Sequence, residues 1–71
     1  MRENLMLIDS PADVLPAERV KYAVGDSSRG GYLDAVVVEL TRRRVLIEYM
    51  DRGGRPRRSS VRPSRIAKLG A

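Results

Sequence analysis

Seventy-one residues allow one small domain, because a chain this short buries only about 60% of its unfolded surface and has nothing left for a second core. Fourteen Lys and Arg against nine Asp and Glu leave a formal charge of +5, and there is no Cys, His, Trp or Phe. That excludes disulfides, thiolate zinc sites, imidazole acid-base chemistry and nucleophile-His pairs, so the composition points to a non-enzymatic basic module with no cofactor and no metal.

Residues 1 to 18 read as a lead-in to a domain spanning 19 to 71. Leu5 to Ile8 is a short apolar run that suits a strand or a strap over a core, and is too short for a signal-peptide core. Ser10-Pro11-Ala12-Asp13 has the form of a helix start, with Ser10 as N-cap and Pro11 in the first helical position. Pro16 limits it to about one turn. A short capping element or a partly disordered arm is expected.

From Arg19 the pattern is that of strands. Val20, Tyr22 and Val24 alternate with Lys21 and Ala23, which describes a half-buried strand ended by Gly25-Asp26. Gly25 to Gly31 is a loop of turn formers. Tyr32 to Leu40 is a long β-branched run, apolar on both faces, as in a strand that bends through a barrel. Thr41 to Arg44 is a tight connection and Val45 to Met50 the next strand. Asp51-Arg52-Gly53-Gly54 reads as a hairpin turn, since Gly53 and Gly54 can take the positive φ values that such turns require. A polar strand over Arg57 to Val61, a break at Arg62 to Arg65 and a closing strand over Ile66 to Leu69 complete the pattern. Five short strands with regular turn signals predict a small all-β barrel.

Two stretches carry a family resemblance. Gly31-Tyr32-Leu33-Asp34-Ala35-Val36-Val37 followed by Val45-Leu46-Ile47-Glu48-Tyr49-Met50-Asp51-Arg52-Gly53 resembles the central hairpin of Tudor and Agenet-type domains. The tail Arg62-Pro63-Ser64-Arg65-Ile66-Ala67-Lys68-Leu69 is similar to the end of Src-homology-3-like barrels, where a 3₁₀ turn precedes the last strand. The resemblance covers residues 19 to 69 and implies a five-stranded Src-homology-3-like, Tudor-like barrel. The activity it implies, binding of methylated Lys or Arg in an aromatic cage, needs several ring faces around one cation. Tyr32 and Tyr49 match cage-like positions, but Arg52 stands where the family carries a Tyr, and an Arg there repels a cation.

The charge is unevenly distributed: residues 1 to 41 net −3 and residues 42 to 71 net +8. Twelve of the fourteen cations are Arg. Codon supply explains a preference for Arg over Lys as well as selection does, but not the excess of cations after residue 41. Because strands reverse at each hairpin, Arg29, Arg52, Arg55, Arg57 and Arg58 are expected together at one end of the barrel, beside Tyr32 and Tyr49 as stacking partners. Arg42, Arg43 and Arg44 fall at the other end as a second basic patch. Arg clusters on Gly-rich turns suit phosphate binding, and rings suit unpaired bases. No recognition helix is visible for reading a major groove. Nucleic acid is therefore the first expected partner. An acidic protein surface is the second, since Val36, Val38, Leu46 and Met50 offer apolar area for an adaptor, or for a phage or mobile-element factor docking on a host protein. No apolar run spans a bilayer, so a cytoplasmic, membrane-free protein is expected.

Overall fold

The computed structural model describes residues 5–24 and 31–69. They form one antiparallel sheet of six strands with two single-turn 3₁₀ segments: β1 (Leu5–Leu7), β2 (Arg19–Val24), β3 (Gly31–Leu40), β4 (Val45–Met50), β5 (Pro56–Val61) and β6 (Ile66–Leu69). The expected loop over residues 25 to 30, and Arg29 within it, lie outside the described residues.

The strand order is β1-β6-β2-β3-β4-β5, so β1 and β5 are the two edges and the sheet is not closed. Five strands were expected. The sixth is β1, which pairs with β6 in the register Leu5↔Leu69, Met6↔Lys68, Leu7↔Ala67. The lead-in contributes directly to the core, since Ile8 and Val14 are buried in the same cluster as Val20, Ala35, Val37, Val45, Ile47, Val61 and Ile66.

The first 3₁₀ segment, Pro11–Asp13, forms for the reasons legible in its residues. Ala12 N–H donates to Ser10 Oγ at 3.2 Å, and Asp13 Oδ2 accepts from the N–H groups of Asp9 and Ser10 at 3.0 and 3.1 Å. This reciprocal cap satisfies donors that a single turn cannot satisfy itself. The chain then turns at Ala17, which sits at φ 70°, a left-handed conformation that costs a non-glycine residue about 1–2 kcal/mol. What holds it there is β3: Ala17 N–H donates to Val37 O at 2.7 Å, and Val37 N–H donates to Glu18 O at 2.9 Å.

Opposite those bonds β3 carries a bulge. Its register with β4 shifts between Val37 and Glu39, leaving Val38 as the extra residue. A bulge bends the strand and raises its twist, which accounts for the apolar residues on both sides of this run. Further curvature follows from the connection between β5 and β6. Three strands lie between them in the sheet, about 19 Å if it were flat, yet only Arg62 to Arg65 join them, three of those in the second 3₁₀ segment Pro63–Arg65. The sheet curls until its two sides approach.

The β4–β5 turn differs from expectation in one respect. Gly54 alone has positive φ, at 78°. Gly54 N–H closes onto Asp51 O and Asp51 N–H onto Arg55 O, both at 2.9 Å, which makes a three-residue loop with glycine required only at its last position.

Candidate anion-binding surface

Antiparallel register decides where each Arg goes. At the β4–β5 turn Asp51 organises the loop: its Oδ1 accepts from the N–H groups of Gly53 and Arg55, and its Oδ2 from Arg57 Nε, all at 2.9 Å. The Arg55 backbone N–H and the Arg57 guanidinium hold Asp51 below the ordinary carboxylate value of 3.8. Arg58 faces Glu48 across the sheet and donates from Nε to its Oε2 at 3.0 Å. Arg52 folds back toward β3, with Nη2 3.9 Å from the place a Cβ on Gly31 would occupy. Arg52 and Arg55 therefore share this end with Arg57, and both Arg57 and Arg58 are engaged by carboxylates.

The two rings do not act together. Tyr49 pairs with Ala35 on the core side, where its ring meets Tyr22 at a centroid distance of 4.9 Å and an angle of 50°. Tyr32 pairs with Ala23, three residues from Ala35 along β3. Side chains alternate along a strand, so Tyr32 lies on the opposite face, where it is 45% exposed. Two rings on opposite faces make neither a joint stacking platform nor two walls of one cage.

At the other end Arg42 and Arg43 form the tip of the β3–β4 turn, closed by Thr41. Thr41 N–H donates to Arg44 O at 2.9 Å and Thr41 Oγ1 accepts from Arg44 N–H at 3.0 Å. Arg44 crosses to the edge strand, where its Nη1 donates to Ser60 O at 3.2 Å. Because β5 runs back to this end, the second 3₁₀ segment brings Arg62 and Arg65 there as well. Arg43, Arg44 and Arg62 line one groove with Ile8, Asp9 and Ser64, and Arg44, Arg62 and Arg65 line the next. Sequence reasoning had left Arg62 and Arg65 out of this patch; counting strand reversals one element further finds them.

On the solvent face of the sheet, Lys21 hydrogen-bonds Asp34 and holds its carboxylate below the ordinary value. Val36 and Met50, 40% and 55% exposed, lie beside this pair with Val38 and Pro56 in a shallow apolar groove. Among the described residues no helix is long and apolar enough to cross a membrane. Comparisons with family models, curated proteins and solved structures found no match to this chain.

Proposed function

We propose that this chain is a non-catalytic module that binds a polyanion, nucleic acid first, through Arg-rich turns on a small Src-homology-3-like, Tudor-like barrel. The observation that carries the reading is that six exposed guanidiniums, Arg42, Arg43, Arg44, Arg52, Arg55 and Arg62, have no carboxylate within 4.0 Å among the described residues. Exposed, unneutralised Arg attracts phosphates over distances set by salt, and its planar fork binds phosphate oxygens in pairs. The barrel reading is supported by the run β6-β2-β3-β4-β5 and by the 3₁₀ turn ahead of the last strand. Among the described residues the only helical segments are two single 3₁₀ turns, too short to enter a major groove, so charge and shape dominate and sequence counts for little.

Fluorescence anisotropy with short single- and double-stranded DNA and RNA, run as a salt series, tests this. Micromolar or tighter binding at low salt, falling steeply as salt rises, is the expected result. No binding to any probe at low ionic strength would sink the reading. The second reading, an adaptor for an acidic protein, then takes its place. It is favoured by the exposed apolar strip of Val36 and Met50 flanked by Arg19 and Lys21, a mixture suited to a protein partner.

A further inference from the structure

The curled sheet stops short of closing, and its open side is lined by three Arg and no carboxylate. On one wall is the edge strand β5. Asp51 N–H donates to Arg55 O, so by antiparallel alternation Tyr49/Arg57, Ile47/Ser59 and Val45/Val61 are the hydrogen-bonded pairs. The backbone groups of Arg58 and Ser60 consequently point away from β4, into the open side. The Arg44 hydrogen bond to Ser60 O agrees with that direction. On the other wall is β2, which β6 covers only at Lys21 and Tyr22, leaving Ala23 beyond the end of β6. Between them lies a groove of about 560 Å³, flanked by Arg44, Arg62, Arg65, Ser60 and Ser64.

We infer that this groove holds the sugar-phosphate backbone of a single nucleic-acid strand. The inference rests on the nucleic-acid reading above and gives it a place and a strand type. The Arg44 and Arg62 guanidiniums, the exposed hydroxyls of Ser60 and Ser64 and the edge N–H group of Ser60 converge there as donors, and phosphodiester oxygens are acceptors only. No Asp or Glu lines this groove.

An extended acidic peptide fits less well. Adding a strand to β5 requires alternating donors and acceptors along the edge, but Ser60 O is occupied by Arg44 and Pro56 supplies no N–H. A duplex presents its phosphates on a broad convex surface that does not enter a groove of this size. Tyr22 borders the groove, but its ring is engaged by Tyr49, so base stacking adds little and the site should be indifferent to sequence.

The test compares two double variants on a labelled 12-nucleotide thymidine strand and on a duplex of the same length, across a salt series. Arg44→Ala with Arg62→Ala is expected to weaken single-strand binding at least tenfold and to reduce the salt slope by roughly 1.4, from about 0.7 per phosphate contact. Arg52→Ala with Arg55→Ala, which removes exposed charge outside the groove, is expected to weaken binding as well but by a smaller factor. Ser64→Asp, at an exposed position outside the buried core cluster, places a carboxylate in the groove and should also weaken binding tenfold with an unchanged melting temperature, which separates loss of the site from loss of the fold. If the turn variant loses as much as or more than the groove variant, or if the duplex binds more tightly than the single strand, the placement is overturned while the nucleic-acid reading stands. If the unmodified protein binds neither probe, both fall.

Discussion

Asp51 accepts a hydrogen bond from Arg57 Nε at 2.9 Å while its other carboxylate oxygen accepts from the backbone of the turn between them. A single anion therefore shapes the hairpin loop and withdraws one guanidinium from the basic end. Charge counts along the chain overstate what this end can offer a ligand, and the opposite end, with Asp9 as the one carboxylate in its grooves, gains by comparison.

The same contacts make the turn sensitive to acid. Asp51 has a carboxyl held below its ordinary 3.8 in the folded state. Its contribution is thus fully present above that value and is lost as pH falls through the depressed folded value. The amide resonances of Gly53 and Arg55 should move together in an NMR titration with a midpoint below 3.8. A midpoint at or above it would mean that the Asp51 hydrogen bonds do not persist in solution.

Gly54 and Gly53 should respond differently to alanine. Gly54 has φ 78° and open space around the added methyl, so Gly54→Ala is a backbone effect of about 1–2 kcal/mol, read by urea unfolding. Gly53 lacks positive φ, and a Cβ there meets only the far end of the Asp51 side chain at 3.3 Å. Gly53→Ala should cost less than Gly54→Ala, and the reverse order would contradict the three-residue loop.

Ile8 is 5% exposed and Leu15 is 68% exposed, although both are branched aliphatic residues of the lead-in. Ile8→Ala should cost about 2–5 kcal/mol through lost burial and a cavity. Leu15→Ala should fall within about 0.5 kcal/mol of zero. Equal, small effects would show that the lead-in is not part of the cooperative unit.

Arg58 is neutralised by Glu48 and 64% exposed. An exposed pair of this kind contributes only about 0–1 kcal/mol, so Arg58→Ala should leave the melting temperature almost unchanged. It should also lower low-salt nucleic-acid affinity less than Arg42→Ala, whose side chain has no carboxylate partner among the described residues. Anisotropy on the two variants decides this; a larger loss from Arg58→Ala would return the weight to the β4–β5 end.

Much of the sheet is readable from turn residues and alternation. Val45 to Met50 and Ile66 to Leu69 match their strands, β2 begins at Arg19 where the pattern changes, and β3 and β5 each begin one residue earlier than their pattern suggests. The Ser10 cap is equally local, and equally legible. What local patterns do not carry is register. Whether Arg58 faces Glu48, and whether Tyr32 shares a face with Tyr49, depends on the number of loop residues between Asp51 and Arg55 and on how β3 aligns with β4. The role of Leu5 to Leu7 depends on an unfilled edge of β6 at least 60 positions away, and nothing in a short apolar run announces that partner.

The position of β6 between β1 and β2 orders events in time. β2 to β5 form a meander of neighbouring strands joined by short connections, whose contacts arise from local loop closures. β1 has no neighbour but β6, and β6 reaches it only after the chain has travelled around the whole meander. Rates of refolding should therefore respond to substitutions in the β3–β4 and β4–β5 hairpins, whereas substitutions at the β1–β6 seam should chiefly accelerate unfolding. This edge is expected to dock last and to leave first, so protease cutting and amide exchange should begin at Leu5 to Leu7 while the meander still stands.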